Sequence, residues 1–132
     1  MELMLSVQKA NGNGNTCNGK YQYAYYLCEN GKKVPMPQQL VMYSAGDISV
    51  TLDDDTDKNI TIVGATQSFD KNDTNQLTIV AFKPNQIVFN DSHTKNETFY
   101  FRVWCKDANN PTESIPCDPQ VENTAEPPVV DM

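Results

Sequence analysis

The peptide bond between Asp118 and Pro119 is the most reactive chemical feature of the sequence. Because proline makes this amide tertiary, its nitrogen leaves more readily once it is protonated. The Asp118 carboxyl group is one methylene away from the backbone Cα and can attack its own backbone carbonyl to form a cyclic anhydride. Pro119 has no N–H, so the competing succinimide route is blocked. A fold that strains this bond or supplies a proton would turn slow lability into programmed cleavage.

Cleavage at this bond requires three chemical roles. Asp118 supplies the scissile carbonyl and a carboxylate that either attacks directly or orients water. A second group must donate a proton to the Pro119 nitrogen, and Glu122 and Asp107 are the nearest candidate carboxyl groups in sequence. Two close carboxyl groups would share a proton, which raises the pKa of one of them. The developing oxyanion also needs a donor, and a tyrosine, a serine or a backbone N–H could serve.

A lysine amine could replace water in capturing an activated Asp118 acyl group. If the amine is held nearby and is partly neutral through desolvation, the product is an amide crosslink. Lys106 is the candidate, because it ends a predicted strand and the chain reaches Asp118 after only 11 further residues. Lys95 and Lys83 are weaker candidates on sequence distance. A solvated charge at the end of a strand is the simpler interpretation of Lys106.

Three other patterns are weaker candidates for a site. The segment Gly14–Tyr21 nearly matches a phosphate-binding loop, but Tyr21 stands where Ser or Thr should bind magnesium and no predicted helix follows. The run Asp53–Asp57 lacks the later Gly and Glu of an EF-hand, so a solvated acidic turn is favoured over a loose calcium loop. The single histidine, His93, supports no metal site. We expect neither a metal nor a cofactor.

Four cysteines, Cys17, Cys28, Cys105 and Cys117, permit two disulfides in three connectivities, with Cys105 and Cys117 the easier neighbours. Their spacing contains no paired CxxC elements that would indicate zinc. Without an export signal, free thiols are the better interpretation. The sequence therefore predicts a cytoplasmic protein in which Cys17 and Cys28 are unpaired.

Composition excludes several classes of partner. The chain has 132 residues, the size of one domain, with 10 basic and 17 acidic residues and a net charge of -7. A nucleic-acid partner is not expected, because a phosphate backbone requires a basic face. No apolar run approaches the roughly 20 residues of a membrane span. The expected substrate is the chain itself, and the oligomeric state is left open.

The periodicity of the chain is that of β-strands, with polar turns between them and no sustained helical face. This pattern predicts an all-β fold, a single antiparallel β-sandwich. The nine predicted strands are Leu3–Lys9, Tyr21–Cys28, Lys32–Met36, Leu40–Tyr43, Ile48–Leu52, Ile60–Thr66, Leu77–Phe82, Gln86–Phe89 and Thr98–Lys106.

The C-terminal segment differs from the rest. Residues 1–107 are predicted to form the sandwich, and residues 108–132 a proline-rich segment packed on the same domain. This segment contains five prolines, at positions 111, 116, 119, 127 and 128. Since proline lacks a backbone donor, we expect an extended tail that contributes edge pairing but no central strand.

The same segment resembles a known family. The run Cys117–Asn123 followed by Glu126-Pro127-Pro128 resembles the DP-EP family of small bacterial β-sandwich proteins, named for Asp-Pro and Glu-Pro elements. The specific match covers about the last 20 residues, while length and strand pattern fit over the whole chain. The resemblance implies self-cleavage at the Asp-Pro bond by an aspartic-peptidase-like mechanism acting in cis. The Asp-Thr/Ser-Gly triplet of pepsin-like enzymes is absent.

The alternative is a non-catalytic binding or structural module. In that case Asp118 only begins a turn, as Asp-Pro pairs often do. The proline-rich tail would be exposed and would act as a ligand or as a donated edge strand, for which Val129 and Val130 are suited. Intact mass separates the two hypotheses, because only self-cleavage yields fragments that end at Asp118 and begin at Pro119.

Overall fold

Eleven β-strands account for nearly all of the regular structure in the computed structural model, which describes residues 1–36, 39–69, 76–94, 96–118 and 120–123. A short 3-10 turn, Cys17–Gly19, precedes the second strand. The strands are β1 (Glu2–Lys9), β2 (Tyr21–Glu29), β3 (Lys32–Pro35), β4 (Gln39–Met42), β5 (Gly46–Leu52), β6 (Ile60–Phe69), β7 (Leu77–Lys83), β8 (Gln86–Asp91), β9 (Glu97–Asp107), β10 (Asn110–Cys117) and β11 (Gln120–Asn123).

The strands form two sheets. The six-stranded sheet has the order β3-β2-β1-β5-β8-β7. In the five-stranded sheet, β9 is central and pairs with β6 from Phe99 to Asp107. The other edge of β9 pairs first with β11 and then with β10, and β11 also pairs with β4. The predicted all-β sandwich is confirmed, and each of the nine predicted strands is present.

Two of the pairings are parallel, a feature that the sequence pattern did not indicate. Strand β1 runs parallel to β5, and β11 runs parallel to β4, while the other pairings within the described residues are antiparallel. The alternation of apolar residues specifies which face of a strand is buried but carries no information about the direction of its neighbour.

Alternate residues of the strands point between the two sheets and form the core. On β1 these are Leu3, Leu5 and Val7, none of which is more than 1% exposed. Each fully buried aliphatic or aromatic side chain contributes about 1.5–3 kcal/mol to folding. The largest fully buried side chains are Phe101, Leu3, Leu5, Leu40, Ile48, Ile87, Ile115, Gln76, Val7, Val50 and Val103.

The C-terminal segment is more deeply integrated than the sequence suggested. Strand β10 carries Pro111 and Pro116 and pairs only with β9, as expected for a proline-containing edge strand. Strand β11 contains no proline and lies between β9 and β4, so the expectation that this segment provides no central strand is wrong. Residues 119 and 124–132, and with them three of the five prolines, lie outside the described residues.

All four cysteines fall within the described residues and carry free thiols. Cys105 and Cys117 are fully buried, whereas Cys17 and Cys28 are partly exposed. In the part of the chain that the structure describes, no helix has the length and apolar character to cross a membrane.

Candidate functional site

The carboxylate of Asp118 is held by Arg102. The Arg102 Nε–H donates to both carboxylate oxygens, with Nε to Oδ1 and Nε to Oδ2 distances of 3.0 Å. Both side chains are partly exposed, at 43% for Arg102 and 32% for Asp118. Such a half-solvated ion pair contributes little to stability, on the order of 1 kcal/mol or less, so its main effect is to orient the carboxylate.

The register of β9 explains this placement. Phe101 and Val103 are buried in the core, so Arg102, which lies between them, faces the outer side of the sheet. Cys117, the last residue of β10, is opposite Val103. Because the two strands are antiparallel, the next residue, Asp118, lies beside Arg102.

Three tyrosines of β2 connect the six-stranded sheet to the five-stranded sheet, and two of them contact the segment that contains Asp118. Tyr21, Tyr23 and Tyr25 are two residues apart and therefore share one face of β2, the inner face. The Tyr25 hydroxyl donates to the Cys117 carbonyl oxygen at 2.9 Å. The Tyr23 hydroxyl oxygen accepts a hydrogen bond from the Asp118 backbone N–H, and the Tyr23 ring lies edge-on to that of Tyr25, with centroids 6.2 Å apart. The inner face of β2 thus contacts both residues that precede Pro119.

Burial keeps these phenols protonated. Desolvation raises the pKa of Tyr25 well above its ordinary value. It also raises the pKa of Tyr23, and the nearby Asp118 carboxylate acts in the same direction, while the hydrogen bond with the Asp118 backbone partly opposes both. Tyr23 is therefore a neutral phenol whose oxygen accepts from the Asp118 backbone N–H.

The turn before β2 contacts β10 on the side of that strand that does not pair with β9. The Thr16 hydroxyl donates to the Pro116 carbonyl oxygen at 3.1 Å, and the Cys17 thiol lies 3.4 Å from the Ser114 carbonyl oxygen. Lys20 pairs with Glu113 at 3.3 Å. Strand β10 is therefore held by β9 along one edge and by these contacts on its other side. The strand that leads to Asp118 is thus constrained on both sides.

The glycine-rich segment before this turn has a structural role. The backbone N–H groups of Gly12 and Gly14 both donate to the Gly19 carbonyl oxygen, so the loop closes on itself. A Cβ atom at Gly14 would collide with the backbone carbonyl of Tyr21, which explains the requirement for glycine at this position. The resemblance to a phosphate-binding loop therefore reflects a tight backbone turn.

Cys117 is not a competing nucleophile despite its position next to Asp118. The Cys117 thiol lies 3.9 Å from the Ile115 carbonyl oxygen, and interaction with the Cys105 thiol together with burial strongly raises the pKa of Cys117. The thiol remains protonated, whereas the reactive form of cysteine is the thiolate.

Asp107 lies at the far end of β9 from Asp118. It is 1% exposed and faces the core, where its Oδ2 accepts a hydrogen bond from the Tyr21 hydroxyl at 2.9 Å. Burial acts to raise the pKa of Asp107, but the Asn109 N–H, the Tyr21 hydroxyl and Lys9 together lower it. The separation from the Arg102 position is five residues, or about 17 Å along a strand. The structure does not bring this carboxyl group to the scissile bond.

Lys106 and Glu122 are also separate from the Arg102–Asp118 pair. Lys106 shares the outer face of β9 with Arg102 but lies opposite Ser114, about 14 Å further along the strand. The backbone of Glu122 lies in β11 opposite Thr98 and Val41, and its side chain is outside the described residues, as is the whole of Pro119. Arg102 therefore occupies the place beside Asp118 for which Lys106 was the sequence candidate.

Sequence reasoning missed Arg102, Tyr23 and Tyr25. Arg102 is the only arginine of the chain, and the three tyrosines of β2 repeat with the period of a strand. Both signals were visible in the sequence. However, their connection to Asp118 depends on the register of β9 with β10 and on the packing of the two sheets, which no local pattern encodes.

The other sequence candidates have structural partners. Asp53 pairs with Lys33 at 2.6 Å, and Asp57 accepts a hydrogen bond from the Lys9 backbone N–H at 2.7 Å. His93 Nε2 lies 2.8 Å from the Met42 carbonyl oxygen and so links the two sheets. Among the described residues, no three His, Cys, Asp or Glu side chains converge as metal ligands would.

Comparison with known proteins assigns the chain to a family. No curated protein matches the chain. The DP-EP family model matches residues 2–125, which is nearly the whole sequence and includes both sheets and the Asp118 segment. The chain therefore belongs to the DP-EP family.

Proposed function

We propose that the protein cleaves its own Asp118–Pro119 bond by carboxylate-assisted hydrolysis. The observation that carries this proposal is the double restraint on Asp118. Arg102 orients its carboxylate at 3.0 Å, while Tyr23 and Tyr25 hold the backbone on either side of the Cys117–Asp118 peptide bond. Such restraint reduces the entropic cost of bringing a carboxylate and a carbonyl into reactive geometry.

The proposed reaction consumes one water molecule. The Asp118 carboxylate takes a proton from water as the water oxygen bonds to the Asp118 carbonyl carbon. The carbon–nitrogen bond to Pro119 then breaks, and the proton passes to the proline nitrogen. In the anhydride variant, a carboxylate oxygen attacks the carbonyl first and water opens the ring afterwards. Both routes leave a new carboxyl group at Asp118 and a peptide that begins with Pro119.

Tyr23 and Asp118 supply the remaining roles. Tyr23 is the candidate donor to the oxyanion that develops on the Asp118 carbonyl, because its neutral hydroxyl lies beside that backbone. The Asp118 carboxyl group itself passes the proton taken from water to the Pro119 nitrogen. Glu122, the other sequence candidate, lies in β11 opposite Thr98, about 14 Å along β9 from Arg102. We therefore expect Glu122→Gln to cleave at the wild-type rate.

Intact mass followed over time tests the proposal. In the unmodified chain we expect two fragments, 1–118 and 119–132, whose masses sum to the 14.8 kDa chain plus one water. Asp118→Ala should remain whole, while Asp55→Ala, which removes an exposed acidic side chain far from the site, should cleave normally. A wild-type chain that stays intact would instead favour the non-catalytic module.

The same spectra decide whether Lys106 captures the acyl group. An amide between Asp118 and Lys106 makes the N-terminal fragment lighter by one water and blocks the lysine amine. Because Arg102 and not Lys106 contacts Asp118, we expect the hydrolysed fragment.

We also propose a cytoplasmic location, supported by the thiols. Cys105 and Cys117 contact one another on the buried face of the sheet and remain unbonded. An oxidising compartment would favour their pairing. Four titratable thiols under denaturing, non-reducing conditions are the expected result, and a count of none would contradict it.

A further inference from the structure

A gap separates two edge strands on the side of the sandwich away from β3 and β4. Strand β6 is an edge of the five-stranded sheet and β7 is an edge of the six-stranded sheet. They are bridged at one end by the Ile62 N–H, which donates to the Pro84 carbonyl oxygen at 2.8 Å. At the other end the Leu77 N–H donates to Gln67 Oε1 at 3.0 Å. Between these bridges no backbone hydrogen bond joins the two strands within the described residues.

A cavity of about 350 Å³ lies in this gap. Its wall is mainly apolar and includes Leu77, Ile79, Phe89 and Phe101. This volume is within the range of sites that bind small molecules, roughly 300–1,000 Å³. The cavity is therefore large enough for a compact organic ligand.

Both strands are irregular beside the cavity. Strand β6 has a bulge between Ile62 and Gly64, and β7 has one between Ile79 and Ala81. Bulges bend a strand and redirect its side chains, and they are frequent next to functional sites. Here Ile79 is about half exposed at 46% although its partner in the register, Phe89, is buried. An apolar side chain therefore stands at the entrance.

Gln67 provides the only side-chain amide among the described residues of the cavity wall, whose other polar residues are Thr66 and Thr78. The Gln67 Nε2 atom is buried and has no hydrogen-bond partner among the described residues. The hydrogen bond from the Leu77 N–H to Oε1 fixes which end of the amide is the donor. A buried donor without a partner is costly, and a ligand that supplies an acceptor removes that cost.

We propose that this cavity binds a small, neutral, largely apolar molecule with one carbonyl-type acceptor, which accepts a hydrogen bond from Gln67 Nε2. A neutral ligand is favoured over a carboxylate because the lining residues that the structure describes include no Lys, Arg or His and the chain carries a net charge of -7. The site is separate from Asp118, which lies beside the opposite edge of β9, and does not depend on self-cleavage.

Acetophenone and ethylbenzene are suitable probes, because they have nearly the same shape and only acetophenone has an acceptor. Each is titrated into the isotope-labelled full chain and followed by NMR. We expect acetophenone to shift the Gln67 side-chain amide and the Ile79 methyl resonances, with intermolecular NOEs to Phe101. One hydrogen bond to a buried donor should make its affinity about tenfold higher than that of ethylbenzene.

A matched pair of variants assigns the preference to Gln67. Gln67→Leu should remove the preference for acetophenone, whereas Gln22→Leu, the same change at an exposed position on β2, should retain it. If Gln67→Leu does not fold, the comparison of the two probes in the unmodified chain still decides the question.

Two results would overturn the proposal. One is equal affinity for the two probes, which would remove the role of Gln67. The other is the absence of any shift at the cavity residues. If, in addition, the β7 backbone amides became protected as protein concentration rose, the apolar edge would be a strand-pairing surface for a second copy.

Discussion

At the scale of single residues, the proposed reaction depends on which cationic side chain contacts the Asp118 carboxylate. Arg102 and Lys106 have the same charge and share the outer face of β9, but only Arg102 contacts the carboxylate. A guanidinium group holds a carboxylate in a defined orientation, whereas an ammonium group on a flexible stem is also a nucleophile when neutral. In the proposed reaction, arginine at this position would favour hydrolysis over formation of an amide.

Replacement of the two cations tests this assignment. Arg102→Gln should slow cleavage at least about tenfold, because the carboxylate loses its fixed orientation. Lys106→Gln, the same charge change four residues away on the same face, should cleave at the wild-type rate. Rates are measured as loss of intact mass. If Lys106→Gln slowed cleavage and Arg102→Gln did not, the assignment of Arg102 as the residue that orients Asp118 would be wrong.

At the scale of elements, the segment before the scissile bond is held by strands that are distant in sequence. Strand β10 pairs with β9 on one edge, and residues of β2 and of the turn before it contact β10 from the other side. Strand β11, which follows the Asp118–Pro119 bond, pairs with both β9 and β4. The bond therefore joins two anchored strands, and the proposed cleavage would leave both strand pairings in place.

Anchoring by β11 predicts that the cleaved peptide stays bound. After cleavage, residues 119–132 should co-elute with the N-terminal fragment in native size-exclusion chromatography, because β11 has a neighbour on each edge. Denaturant should release the peptide. Loss of the peptide from the native column would show that β11 is not held as the two pairings require.

The Tyr25 hydroxyl should contribute measurably to stability. Tyr25→Phe removes the hydrogen bond to the Cys117 carbonyl and should lower the free energy of unfolding by about 1–3 kcal/mol. Tyr26→Phe is the control, because Tyr26 is on the outer face of β2 beneath the Lys33 ammonium group. Urea unfolding is measured in the Asp118→Ala background, so that cleavage does not interfere. Equal destabilisation by the two variants would argue against a special role for Tyr25.

At the scale of the whole molecule, polar contacts between the sheets supplement the apolar core. Tyr21 of the six-stranded sheet donates to the buried carboxylate of Asp107 in the five-stranded sheet, and His93 links the end of β8 to Met42 of β4. These contacts specify how the two sheets align, since apolar packing alone is not directional.

The contact between Asp107 and Tyr21 makes the free energy of unfolding depend on pH. Hydrogen bonds lower its folded pKa below the ordinary 3.8, so its stabilising contribution is present above that pH and is lost as pH falls through the folded pKa. We therefore expect the free energy of unfolding to decrease below about pH 4. Asp107→Asn should weaken this decrease, and the exposed control Asp55→Asn should not. Identical pH profiles for wild type and Asp107→Asn would contradict the prediction.

The sequence by itself determined the strands, the two-sheet class and the reactive bond. Alternating residues such as Leu3, Leu5 and Val7 identify a buried face locally, and the chemistry of Asp118-Pro119 follows from two adjacent residues. Only the tertiary structure decided that Arg102, not Lys106, meets Asp118, that Tyr23 and Tyr25 contact the same segment, and that β11 is a central strand. Each of these depends on register or on pairing between segments far apart in sequence. Such non-local contacts are selected by the burial of whole sheets and leave no local pattern in the chain.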